Sequence, residues 1–337
     1  MTSPAISVLM PIYNCSDYVS ETIDSILNQT FTDFEFLIID DCSTDLTADI
    51  VKQYRDSRIK LIEKPVNTGY TDSLNLGVEL AQGKYIARMD GDDIAISTRF
   101  EQQINLLESN PEVIVCGSQL KILGSDKIML KPESHEDILI DLLLTNPIGH
   151  PSVMIRRSVL TAFKYDKSKE PAEDYDLWTR LIWHGKFYNI QQPLVLYRVH
   201  DGQVSTVKKQ KQLLHFNESR INFLKKLGYD DNIFPNALLM HLFFQDYSIS
   251  AATFRLLMQW FATIQKANKD QKIFPESAFF KTMNEMQHAF LRAYFITHKF
   301  EAKIIPCWFS LKPKQVLFVI KAYILAANSK RNPTFKA

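Results

Sequence analysis

Ala87-Arg88-Met89-Asp90-Gly91-Asp92-Asp93-Ile94 is the stretch on which the reading of the fold turns. It sets three carboxylates within four residues, directly behind the apolar run Tyr85-Ile86-Ala87. Crowded carboxylates repel, and a fold keeps them together mainly where a cation offsets the repulsion. Mg2+ and Mn2+ take oxygen ligands and commonly share them with substrate phosphates. An Asp-x-Asp at a strand end therefore reads as a divalent-metal and phosphate site. The plain alternative is an acidic turn, with Gly91 making the bend and the Asp side chains capping the next helix. The segments upstream decide between the two.

Ile6-Ser7-Val8-Leu9-Met10 has the short, partly β-branched pattern of a buried strand, which Pro11 is expected to stop. The loop Ile12-Tyr13-Asn14-Cys15 leads to a helix capped by Ser16 or Asp17, carrying Val19, Ile23, Ile26 and Leu27 at helical spacing. A second strand from Phe34 to Ile39 ends in Asp40-Asp41. A helix over 44–54 and a third strand over 59–62 follow. Asn67-Thr68-Gly69 turns into a helix over 70–80, and Tyr85 to Met89 is a fourth strand ending in Asp90.

Strands and helices alternating at this spacing predict an α/β fold, a Rossmann-like, mostly parallel sheet with flanking helices. Right-handed crossovers give consecutive strands one direction. Pro11–Asn14, Asp40–Asp41 and Asp90–Asp93 then all fall at carboxyl ends of parallel strands, the edge where open α/β sheets bind ligands.

No Gly-x-Gly-x-x-Gly follows the first strand, and no Gly-Lys-Ser/Thr occurs, so glycine-rich phosphate loops are excluded. A nucleotide must be held by side chains and metal. Tyr13 can stack on a base. Asp41 can accept from a base N–H such as uracil N3. Asp92 can hold a metal bridging a diphosphate, with Asp90 near the ribose or behind the metal.

Downstream, Phe100, Ile104 and Leu107 mark a helix, and Val113 to Gly117 a buried strand. A hairpin or loop is expected over 121–133 around Gly124-Ser125, and a helix over 135–144. Val153-Met154-Ile155 is strand-like. Glu173 and Asp174 open a helix whose apolar face is Leu177, Trp178, Leu181 and Ile182; alone, the pair reads as acidic capping of a helix dipole. Leu194 to His200 reads as a strand with Arg198 and His200 on the face opposite Tyr197 and Val199. A lone His is more often structural than a ligand.

The chain has 337 residues, 46% hydrophobic and 23% charged, enough to bury a sizeable core. Residues 206–337 hold 20 of the 39 Lys and Arg and 8 of the 38 Asp and Glu. That makes this tail about +12 and residues 1–205 about −11, two surfaces suited to different partners. Cys15, Cys42, Cys116 and Cys307 are scattered, which argues against a zinc site or disulfide framework and for a reducing, cytoplasmic setting. Neither a signal peptide nor a spanning helix is expected.

Taken together, these segments resemble glycosyltransferase family 2, inverting GT-A enzymes that use nucleotide-diphosphate sugars. The matching pieces are Ser7 to Asn14, Ile38 to Asp45, Asn67-Thr68-Gly69, Asp90-Gly91-Asp92-Asp93, His150-Pro151-Ser152, Glu173 to Trp178 and Tyr197-Arg198-Val199-His200, in the family's order across residues 5–205. The resemblance implies a GT-A catalytic domain over 1–205. It implies donor contacts at Pro11, Tyr13, Asn14, Asp41, Asp90 and Asp92, and Mn2+ or Mg2+ at Asp92 and Asp90, with His200 completing the set. Asp174 matches the catalytic base; Asp93, Glu173 and Arg198 are further candidates.

The implied activity moves a sugar, from UDP by the Asp41 argument, to a hydroxyl of a saccharide or polyprenyl-linked acceptor in surface polysaccharide synthesis. No nucleic-acid partner is expected. A sugar-phosphate nucleotidyltransferase would want Gly, Lys or Arg in the loop after strand one, and Pro11–Asp17 has none. A non-catalytic carbohydrate-binding module would be expected to lose Asp92 or Asp174, and both are present.

Residues 206–337 carry no such resemblance and read as an α-helical region. Leu238, Leu239, His241, Leu242 and Phe243 begin one helix; Phe254, Leu257, Met258, Trp260 and Phe261 mark another; Phe279, Phe280, Met283, Met286, Phe290 and Tyr294 mark a third. From Lys303 onward there is no acidic residue, while Lys312, Lys314, Lys321, Lys330, Arg331 and Lys336 flank aromatic and apolar runs. This pattern predicts either peripheral contact with the inner face of an anionic membrane or a solvated basic end.

Overall fold

β1 (Ile6–Ile12) is buried along its whole length and lies at the centre of a parallel quartet. Helix α1 (Val19–Leu27) leads to β2 (Phe34–Asp40), α2 (Thr47–Gln53) to β3 (Ile59–Glu63), and α3 (Tyr70–Leu80) to β4 (Tyr85–Arg88). β1 pairs in parallel with β2 and β4, and β2 with β3. The expected stop at Pro11 does not occur. Pro11 pairs with Ile39 of β2, whereas the pairing of β1 with β4 ends at Leu9 and Arg88. Proline's missing donor thus falls where the ladder on one side has already ended, a position a strand tolerates.

The second half changes direction. β5 (Ile94–Ala95), α4 (Arg99–Ser109), β6 (Val113–Ile122), β7 (Ile128–Met129), α5 (His135–Asp141), β8 (Met154–Arg156), α6 (Arg157–Phe163), α7 (Glu173–Leu181) and β9 (Lys186–Tyr197) follow. The sheet order is β3-β2-β1-β4-β8-β6-β9-β5, with β7 hairpinned onto β6 around Gly124. β8 runs antiparallel to β4 and β6, and β6 is parallel to β9. The sheet is α/β and parallel in its first half, mixed beyond it. The sequence marked only the end of β9. The strand starts at Lys186 and stops at Tyr197, so Arg198 and His200 lie past its end and not on alternate faces of it.

Val19, Ile23 and Ile26 of α1 close over Phe34 and Phe36, and Phe34 meets Phe100 of α4 edge to face at 5.6 Å. Each such apolar side chain contributes about 1.5–3 kcal/mol by leaving water. This core clamps the strands whose carboxyl ends carry the polar loops.

The structure is a computed structural model and describes residues 3–200, 208–298, 301 and 304–331. The chain divides into two units, Met1–Arg220 and Ile221–Ala337. The division falls inside α8 (Lys209–Leu224); the boundary expected at 205/206 lies outside the described residues.

The second unit is helical: α9 (Asn236–Phe243), α10 (Ala251–Gln271), α11 (Glu276–His298), the short α12 (Ile305–Trp308) and α13 (Pro313–Arg331). Its core is aromatic: Phe254 packs on Phe290, Tyr294 and Phe295, and Trp260 is fully buried. Among the described residues, no helix is long and apolar enough to cross a membrane.

Candidate active site

The strand ends of the first unit enclose a crevice of about 620 Å³. Pro11, Tyr13 and Asn14 line it from the end of β1, Asp41 from the end of β2, Asp90 and Asp92 from the turn after β4. Glu173 and Asp174 line it from the start of α7, and His200 from beyond β9. Nine of the expected site residues thus come together. Asp93 and Arg198 do not line the crevice.

At the acidic turn, Asp90 is already paired. Arg88 grips both its oxygens, with Nη1 donating to Oδ2 at 2.7 Å and Nη2 to Oδ1, and Tyr70 donates its hydroxyl at 3.3 Å. Burial pushes the Asp90 carboxyl up to about 6, against the pull of Arg88 and with a further push from Asp92. Asp92 instead faces His200, whose Nε2 lies 2.9 Å from Oδ2, and the His200 ring leans on Tyr18 at 5.2 Å. Gly91 packs the turn against the end of β1; a Cβ there would stand 2.9 Å from Ile12 Cγ2 and 3.0 Å from Cys15 Sγ.

Asp93 is fully buried, and its carboxyl is held well above the usual range by burial and by the neighbouring Asp90 and Asp92. Its Oδ1 accepts from the backbone N–H of Arg198 at 2.8 Å, and Arg198 Nε donates to the carbonyl of Asp92 at 2.8 Å. Arg198 then reaches Glu21 at 2.6 Å and lies over the Tyr18 ring. Asp93 and Arg198 therefore fasten the turn to the segment that carries His200. From behind, the buried Arg99 donates to the carbonyls of Arg88 at 2.7 Å and Val153 at 3.2 Å.

Asp90, Asp92 and Asp93 each place a carboxylate oxygen within 4.8 Å of the others. Asp93 Oδ2 is buried with no hydrogen-bond partner. A hard oxygen set with one imidazole beside it suits Mg2+ or Mn2+. Arg88 holds Asp90 in place beside Asp92, whose carboxylate faces His200, so the residues fit a cation.

The other acidic pair is held differently. Asp174 Oδ2 accepts from Asn146 Nδ2 at 2.7 Å and Oδ1 from the backbone N–H of Tyr175 at 2.6 Å. Lys131 Nζ donates to the carbonyl of Asn146 at 2.8 Å, which fixes that residue. Burial raises the Asp174 carboxyl despite these donors. Glu173 is pushed up to about 8 by burial and by Asp174, and its Oε2 has no hydrogen-bond partner. A carboxyl with raised proton affinity, open to a crevice and oriented by neutral donors, is what a general base requires.

At the third corner, Tyr13 is half exposed and Asp41 nearly buried. Asp41 Oδ2 accepts from the backbone N–H of Gly69 at 2.9 Å, and Oδ1 from that of Thr68 at 3.1 Å and from Lys64 Nζ at 2.5 Å. Gly69 sits at φ +100°, which a side chain would strain. Lys64 also bonds Thr68 Oγ1 at 2.5 Å and Ser73 Oγ at 2.9 Å. Asn14, at φ +48°, spends its amide on Thr44: Nδ2 donates to Oγ1 at 3.2 Å and Oδ1 accepts from the backbone N–H at 2.8 Å. It ties the loops after β1 and β2 together.

Arg88, Lys64, Asn146, Lys131 and Arg99 were not among the sequence candidates. Arg88 had a signal, a cation in an apolar strand two residues before the first Asp. The others act across long sequence separations and had none.

An α/β sheet with acidic loops gathered at its strand ends is a frame that binds ligands at that edge. The comparisons with known proteins agree. The family model described as glycosyl transferase family 2 matches residues 7–170. An uncharacterized glycosyltransferase of Haemophilus influenzae is 35% identical over 269 residues, 73% of this chain and 82% of that one. The Escherichia coli UDP-Glc:alpha-D-GlcNAc-diphosphoundecaprenol beta-1,3-glucosyltransferase WfgD is 31% identical, covering 60% of this chain and 80% of that one. The solved structure of the mannosyltransferase PcManGT of Pyrobaculum calidifontis, in complex with GDP-Man and Mn2+, superposes with a TM-score of 0.51 at 16% identity, over 100% of this chain and 89% of that one. The chain belongs to glycosyltransferase family 2, and its fold is of the GT-A type.

Proposed function

We propose that the chain transfers a sugar from a nucleoside-diphosphate donor to a hydroxyl of a saccharide or lipid-linked saccharide, with inversion, in surface polysaccharide synthesis. The observation that carries this reading is the crevice itself: the acidic turn of Asp90 and Asp92, and Asp174, a carboxylate oriented by neutral donors, line the same space. The first unit holds every residue of that crevice and is read as the catalytic one.

The leaving nucleoside diphosphate gains charge as the sugar C1–O bond breaks. Asp92 and Asp90 would hold the divalent cation that supplies countercharge there. Arg88 fixes Asp90, and the Asp93–Arg198 link fixes the turn. Tyr13 offers its ring to the base, and Asp41 an acceptor to a base N–H, which supports UDP. Asp174 takes the proton from the attacking acceptor hydroxyl, and Asn146 and the Tyr175 N–H hold its carboxylate in place while it does. A single displacement needs no covalent nucleophile. UDP as donor and a diphospholipid-linked acceptor are what WfgD's name gives that relative, and Mn2+ accompanies GDP-Man in PcManGT; both lend support by likeness.

A donor-hydrolysis screen over UDP-, GDP- and dTDP-sugars with Mn2+ tests the proposal without the acceptor. Release of UDP from one or more UDP-sugars is the expected result. Nucleotide release from GDP- or dTDP-sugars alone would overturn the donor assignment.

A further inference from the structure

We propose that the last long helix of the second unit is a docking surface for an anionic lipid bilayer. α13 has two well-separated faces. One is fixed to α11: Phe318 stacks on His288 at 4.3 Å, Gln315 Nε2 donates to Gln287 Oε1 at 3.1 Å, and the Tyr323 hydroxyl donates to the carbonyl of Phe295. Val319 and Ala322 are buried on this side. The other face is open. Leu317, Ile320 and Ile324 are 54%, 43% and 54% exposed. At about 100° per residue they fall within roughly 60° of one another, a continuous apolar stripe. Lys314 and Lys321, both exposed, fall on one flank of that stripe by the same rotation. In the turn between α12 and α13, Phe309 is 87% exposed.

A helix with large apolar side chains in water and lysines along the edge has the form of an element lying in a membrane interface. The charge fixes the kind of surface. From residue 303 to the end the sequence has seven Lys and Arg and no Asp or Glu. Of these, Lys303 and Lys336 lie outside the described residues. Such a stretch is drawn to anionic headgroups. A second copy of this chain is a poorer occupant. A two-fold contact sets a patch against itself, and an antiparallel pair of these helices would press Lys314 and Lys321 of two copies together as apolar area is buried. The inference stands apart from the donor-site proposal, because it uses no residue of the crevice.

Sedimentation of the full chain with vesicles tests it. The chain is expected to pellet with phosphatidylglycerol-containing vesicles, to stay in solution with pure phosphatidylcholine, and to be released as salt rises. The changes lie on exposed positions, so the variants keep the fold. K314Q/K321Q should weaken the partitioning on the order of 30-fold, about fivefold per lysine. L317Q/I320Q should weaken it as well, while both variants bind donor as the unaltered chain does. Equal pelleting with the two vesicle types, pelleting with neither, or full retention by K314Q/K321Q overturns the proposal. So does a dimer, seen by light scattering without vesicles, that L317Q/I320Q dissociates, because the occupant would then be a second copy.

Discussion

The carboxylates of the crevice are held in place in two opposite ways. Asp90 and Asp41 each meet a cation, Arg88 and Lys64. Asp174 meets an amide and a backbone N–H, and Glu173 leaves one oxygen without a partner. A fixed cation favours the charged form of the carboxylate beside it, so at Asp90 the Arg88 guanidinium pulls against the upward push of burial and also sets position. A buried carboxylate held by neutral donors keeps its proton affinity and gains position too. The first kind suits holding a ligand, the second suits taking a proton.

The contrast breaks most visibly at Asp174. D174N keeps the shape and removes the basicity, so transfer should fall on the order of 10²–10⁴-fold while donor affinity persists. Transfer near the unaltered rate would reduce Asp174 to a capping anion.

Next in size is the metal. Calorimetric titration of a UDP-sugar with Mn2+ and then with EDTA should show affinity falling on the order of 10²-fold, consistent with the several kcal/mol a bound cation supplies. D92N should behave like EDTA; equal affinities throughout would remove the metal from that corner.

D41A comes third. It should weaken UDP and UDP-sugar together, by about 10–100-fold for the loss of a charged hydrogen-bond acceptor. An unchanged UDP affinity would move Asp41 away from the base.

The smallest effect concerns Glu173. Its carboxyl is raised from 4.5 to about 8, so the fold favours the protonated form. Stability from this group is complete below its unfolded value and is lost as pH rises through about 8. E173Q carries a neutral amide at every pH, so melting temperature should decline less between pH 5 and 8 than in the unaltered chain. An identical decline would show that Glu173 does not contribute.

Much of this was legible in the sequence for one reason. In a parallel α/β unit the loop after each strand falls on the same edge, so Asp41 and Asp90–Asp93 converge whatever the details of packing. Helix α3 forms over Tyr70–Leu80 as read, because the Asn67-Thr68-Gly69 turn is a local signal for its start, and Gly69 does take the positive φ such a turn uses. What could not be read is what depends on pairing between distant segments. Asn146 reaches Asp174 across 28 residues, and Asp93 meets Arg198 across 105. Nothing local to either partner encodes such a contact. Pro11 misled for the opposite reason. Its local rule is sound, but the rule concerns a donor, and at that height the ladder to β4 has already ended.

The knot around Lys64 reaches beyond mechanism. An ammonium has three protons, and here Asp41, Thr68 and Ser73 each take one. Lys64 has nothing left for a phosphate. Its partners, in turn, depend on it for charge balance and for position. In the terms of inheritance, these four positions form one locus. A change at any of them strands the others, so a lineage would be expected to alter them in concert or keep them as they are.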